Sequence, residues 1–180
     1  MIDLPVIRQG LIIGRIDLEK REVIPNQDHP IYFTCKSRVD CCSTMQIPAS
    51  EYDIERIMDH GYELDQIIRD ASPIFLNPNS QFGPRHKAYI LKTKPFDGTC
   101  TFLEDNLCAI HQFKPFACKI YPFALEFADD KHLTMVIHQD QLCESITAVK
   151  PAESNNRELL DNMMTTILQE LEDRGYDNLE

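Results

Sequence analysis

Seven cysteines, all lying between Cys35 and Cys143, restrict this chain more than any other feature of its 180 residues. They fall as Cys35, the adjacent pair Cys41 and Cys42, then Cys100, Cys108 and Cys118 in one turn-rich segment, and finally Cys143. Five residues separate Cys35 from Cys41, seven separate Cys100 from Cys108, and nine separate Cys108 from Cys118, so no C-x2-C knuckle exists. Local zinc-finger and ferredoxin motifs are thereby excluded. A site made from these thiols must be assembled from distant loops. Neighbouring side chains in extended backbone point to opposite faces, so Cys41 and Cys42 either serve different sites or divide between a ligand and a small packing group.

An odd cysteine count and the lack of a signal-peptide pattern in MIDLPVIRQGLIIGRIDLEK point to a reducing compartment, where grouped thiols bind metal or do redox chemistry. The expected location is cytoplasmic. Nowhere do eighteen apolar residues run together, so no membrane span is expected. A net charge of −11 and the absence of a basic stripe argue against a nucleic-acid surface. The partner or substrate, protein or small molecule, is not specified by these features.

The chain reads as a single α+β domain over 1–180, with small antiparallel hairpins and about three helices around a loop-rich cysteine centre. Residues 1–32 mix β-branched residues with Gly and Pro, the pattern of short strands joined by turns. Ser50 is the expected N-cap of a helix over 50–60 that Gly61 ends, with Ile54, Ile57 and Met58 on its buried face. A second helix is expected over 64–70, and a loop over 72–86, where three prolines fall. Lys87–Thr93 reads as a strand, Asp97-Gly98 as the turn that delivers Cys100, and Glu104-Asp105-Asn106 as a hairpin turn before Cys108. Segments 123–127 and 132–137 form a second hairpin about Asp129-Asp130, and 153–174 an amphipathic helix.

Thiolates are soft anionic donors that suit zinc, copper(I) and iron-sulfur clusters. All seven cysteines form the ligand pool, and His111 and His138 could complete a mixed site or serve only as surface groups. Delivery from several loops suits a buried iron-sulfur cluster, while zinc or iron ions fit the same donors. Tyr121 and Glu126 are candidate acid-base groups, and packing is the alternative for Tyr121. Metal-free thiol redox lacks a C-x-x-C pair.

Taken in order, these residues resemble the zinc- or iron-chelating cysteine-cluster family, also called CxxCxxCC or YkgJ-like. An aromatic followed by C-x2-C-G-x-C-C looks like Phe33 to Cys42, an acidic helix like Asp53 to Ile57, and DG-x-C like Asp97 to Cys100. The stretch C-x-I-Y-x2-R-P-x2-C-x2-Y-P-F is matched from Cys108 to Phe123, and the resemblance runs from about 33 to 143. Arg38 stands where the family has its second cysteine, Val39 replaces a glycine, and His111 and Lys114 replace tyrosine and arginine. Arg38 cannot ligate a metal but could neutralise thiolate charge or hold an anionic substrate, which makes Arg38 and Tyr121 the candidate cofactor-binding residues. The family is also similar to the cysteine domain of flagellin lysine methylases, which implies an alternative: an enzyme transferring a methyl group from S-adenosylmethionine to protein lysine. No G-x-G-x-x-G seats a nucleotide cofactor here.

Overall fold

In the computed structural model the described residues are 11–25, 32–33, 42–43, 45–76, 86–137, 146–147, 165–171 and 173. Among them the strands run in chain order as β1 (Leu11–Asp17), β2 (Glu22–Pro25), β3 (Tyr32–Phe33), β4 (Pro48–Ser50), β5 (Ile74–Leu76), β6 (His86–Ile90), β7 (Leu103–Glu104), β8 (Leu107–Cys108), β9 (Ala124–Phe127), β10 (His132–Ile137) and β11 (Ile146–Thr147). The helices are α1 (Glu51–Met58), α2 (Leu64–Ile67), α3 (Phe116–Ile120) and α4 (165–171), with a 3-10 turn at His111–Phe113. The chain is therefore α+β. No helix among the described residues is long and apolar enough to cross a membrane.

Two compact units divide the chain. The first takes Met1–Cys35 and Pro122–Gln169, and the second takes Lys36–Tyr121 and Glu170–Glu180.

In the first unit the β-branched N-terminal run forms the strands its composition predicts, in an antiparallel sheet of order β2-β1-β10-β9. Ile16 pairs with Leu133 and Gly14 with Met135, and a register shift between Ile12 and Gly14 marks a bulge. The bulge puts Ile13 and Gly14 in succession at buried positions, whereas a regular strand would alternate them. Ile13, Ile16, Leu133, Met135 and Val136 are the buried apolar residues of this sheet. The β9-β10 hairpin about Asp129-Asp130 is as expected, and β3 pairs with β11 in a separate ladder that sets Phe33 opposite Ile146.

In the second unit β6 is the centre of a sheet of order β4-β6-β5. Helix α1 starts where Ser50 caps it: Asp53 N–H donates to Ser50 Oγ at 3.2 Å, and Asp53 Oδ2 accepts from Ser50 N–H at 3.0 Å. Gly61, at φ +91°, ends it with an N–H bond to Met58 O.

Four expectations need correction. Met58 is exposed, because the buried stripe of α1 is rotated toward Asp53, Ile54 and Ile57. Helix α2 stops at Ile67, and Leu64 is exposed. Ile68 is extended and bridges Leu91, while Lys92 N–H donates to Ile67 O at 2.8 Å, so the segment joins strand pairing instead of lengthening the helix. Within 72–86, Ile74–Leu76 is a strand paired with His86–Ala88. The expected 87–93 strand begins at His86 and ends as a strand at Ile90, with single bridges at Leu91 and Thr93. Of the C-terminal helix, 153–164, Glu172 and Arg174 lie outside the described residues.

Candidate metal centre

A run of short-range turns carries Cys100 and Cys108. The turn before Cys100 closes through Gly98 N–H to Lys94 O at 3.0 Å and Lys94 N–H to Thr99 O at 2.7 Å, with Gly98 at φ +71°. Asp97 Oδ1 accepts from Thr99 N–H at 2.9 Å and from Thr99 Oγ1 at 2.8 Å. Those bonds, the backbone one foremost, hold the Asp97 carboxyl below its ordinary value. Cys100 emerges buried, donates its N–H to Cys42 O at 2.7 Å, and accepts Leu103 N–H on its own carbonyl at 3.0 Å. Leu103 in turn pairs with Cys108 across a hairpin whose two turn residues, Asp105 and Asn106, sit at φ +47° and +61°. Those angles belong to a two-residue type I′ turn, for which Asp and Asn are suited. Backbone hydrogen bonds thus link the chain at Cys42, Cys100 and Cys108.

Cys118 comes from a different direction, in the middle of α3, with its N–H bonded to Pro115 O at 2.9 Å. The N-cap of this helix is Pro115, which offers no side-chain cap. Helix α1 fills that role. Asp53 Oδ1 accepts Phe116 N–H at 3.0 Å, and Arg56 Nη2 donates to Lys114 O at 2.8 Å, so both sides of Pro115 are held. Arg56 Nη2 also bonds Asp53 Oδ1 at 3.0 Å, and Arg56 Nη1 bonds Glu170 Oε1 at 2.8 Å. Lys119 of α3 pairs with the same Glu170 oxygen, and Arg56 Nε is buried without a hydrogen-bond partner among the described residues. Burial pushes the Glu170 carboxyl up, but hydrogen bonds from Lys119 and Arg56 and their charges outweigh it, leaving the group below its ordinary value.

These cysteines border one core. Cys100 is part of a buried cluster with Ile47, Ile54, Ile57, Phe102 and Ile110, and half-buried Cys42, Cys108 and Cys118 pack against it. Aromatic rings flank the cluster: Tyr62 meets Phe102 edge-on at 5.2 Å, and His60 stacks on Phe113 at 3.8 Å. His111 opens the 3-10 turn three residues past Cys108 and is exposed, and Tyr121 is half-buried at the end of α3, donating its N–H to Ala117 O. Cys35, Arg38, Cys41, His138 and Cys143 lie outside the described residues. Among the described residues no three Cys, His, Asp or Glu side chains are grouped so as to hold a metal. The donors that are described nevertheless have the right chemistry, since thiols set round one core supply soft ligands for zinc or iron. From the sequence, Asp53 and Arg56 enter only as part of the acidic helix of the resemblance, and Glu170 has no role. The spacing of Asp53 and Arg56, one turn apart on α1, is the signal that the two act on a common neighbour.

A family model described as a putative zinc- or iron-chelating domain, CxxCxxCC, matches residues 34–144. Neither the curated proteins nor the solved structures give a match.

Proposed function

Because the chain belongs to the CxxCxxCC family of zinc- or iron-chelating domains, we propose that it binds zinc or iron through cysteine thiolates, with Cys42, Cys100, Cys108 and Cys118 in the ligand pool. One observation carries this reading: cysteines far apart in sequence border a single core, three of them tied by backbone bonds and the fourth held by a side-chain clamp. Cys35, Cys41 and Cys143 lie outside the described residues. All three stay in the pool. His111 is a nitrogen donor three residues from Cys108, exposed and so able to approach a metal at the surface. Arg38 would offset thiolate charge, and Tyr121 would flank the bound group from the end of α3.

Zinc, iron or an iron-sulfur cluster would act here as a cross-link among the segments that carry the cysteines, and iron would add one-electron chemistry. The chain's own part is to present deprotonated sulfur. Binding therefore releases protons and weakens as the pH falls. Delivery of sulfur by several separate loops supports the cluster, and the same donor set supports zinc.

Purification without oxygen, followed by metal analysis, acid-labile sulfide determination and a visible spectrum, tests the reading. Iron with sulfide and a broad band at roughly 400 nm supports a thiolate-held cluster. Stoichiometric zinc in a colourless protein supports a closed zinc site. Absence of both metals refutes chelation.

A further inference from the structure

We infer that Asp53 is the positioning residue for Cys118, holding the start of the helix that presents this thiol; this rests on the chelation reading above. A five-residue helix such as α3 is too short to hold itself, since its first N–H groups have no partner inside it. Pro115 cannot cap it with a side chain. The cap comes from α1, where one carboxylate serves two helices: Oδ2 takes Ser50 N–H and Ser50 Oγ at 3.0 and 2.7 Å, and Oδ1 takes Phe116 N–H at 3.0 Å. The α1 helix is itself anchored, with Ile54 and Ile57 buried in the cluster that contains Cys100. Asp53 is 2% exposed, so this geometry is fixed from both sides. Cys118 lies two residues beyond the held amide, and its own N–H is bonded to Pro115 O. The placement of the helix turn that carries Cys118 is thus set by α1 and not by α3 alone.

The arrangement needs both carboxylate oxygens as acceptors. An amide at this position has one acceptor oxygen and an NH2 group that only donates, so it can accept from either Ser50 or Phe116 and Arg56, never from both sets. Groups that orient a metal ligand contribute about 10- to 100-fold in metal affinity. Asp53→Ala and the milder Asp53→Asn should therefore release metal to a coloured chelator about 10- to 100-fold faster than the wild type.

The experiment uses the full chain, purified without oxygen and carrying its own metal. Release is timed with a chelator, and native alkylation by iodoacetamide is mapped to each cysteine by mass spectrometry. The expected result is that Cys118 becomes reactive ahead of Cys100 in both Asp53 variants. Ile67→Val, in the same core, should lower the melting temperature and leave release and the Cys118-to-Cys100 ratio as in the wild type. If Asp53→Ala does not fold, Asp53→Asn carries the same two readouts. Wild-type protein without zinc or iron overturns the chelation reading and this one with it. Loaded wild type, with Asp53→Asn unchanged in release and in Cys118 protection, overturns the positioning alone.

Discussion

Replacing Glu170 by Ala should destabilise the second unit far more than removal of an ordinary surface acid. Glu170 is 2% exposed, and its Oε1 receives both Arg56 Nη1 at 2.8 Å and Lys119. The two cations are themselves mostly covered, with side chains 19% and 22% exposed. Truncation takes the shared carboxylate from both covered cations, leaving Arg56 its bond to Asp53 Oδ1, a loss that costs about 3 kcal/mol. With a urea dependence of about 2 kcal/mol per molar, the unfolding midpoint should fall by about 1.5 M. The natural control is Glu51→Ala, which breaks an ion pair to Lys87 between side chains 56% and 41% exposed and should cost under about 1 kcal/mol. Circular dichroism in urea at pH 7 measures both. The folded Glu170 carboxyl sits below its ordinary value, so its contribution is complete above the usual glutamate range and is lost as pH falls through the depressed value. The gap between wild type and Glu170→Gln should close on acidification. Equal midpoint shifts for Glu170→Ala and Glu51→Ala, or a gap that widens in acid, would refute the reasoning.

Ile57→Ala, at a fully buried site in the cluster with Cys100, should cost about 2–5 kcal/mol, read from the same urea curves. Asn106→Gly should be neutral or stabilising by a few tenths of a kcal/mol, because Asn106 already occupies φ +61°, whereas Asn106→Val should destabilise by at least about 1 kcal/mol in a thermal melt. Stripping the metal anaerobically with a chelator should lower the melting temperature in proportion to the binding free energy, and about 4 kcal/mol is lost if the metal had been present at a thousand times its dissociation constant.

Where local chemistry decides the structure, the amino-acid order was enough. Ser50 followed at the third position by Asp53 specifies the start of α1, and Asp105-Asn106 between two short strands specifies a hairpin, since both signals act within four residues. Asp97 and Gly98 likewise define the turn before Cys100. Periodicity misjudged Met58 because it assumes that every apolar residue on a helix faces the core, and here the polar but buried Asp53 turns the helix toward α3. It overextended α2 because the pull on Ile68 comes from Leu91, far along the chain. The cysteines were legible as a pool, but spacing contains nothing about which side chains border the same core. The pairings Asp53 with Phe116 and Arg56 with Glu170 were illegible for a related reason: each joins residues that no local pattern connects.

The pairing of β1 with β10 bears on how the protein is made. Asp17 meets His132 only after the whole intervening span has been synthesised, a delay of roughly ten seconds at ordinary translation rates. During that interval Lys36–Tyr121, nearly all of the second unit and five of the seven cysteines, has already emerged. The N-terminal strands must wait as an open edge, with Ile12 and Ile24 still exposed in the finished fold. Nascent chains stalled between about residues 122 and 130 should therefore present that edge to chaperones, and release of the β9-β10 hairpin is the event that covers it.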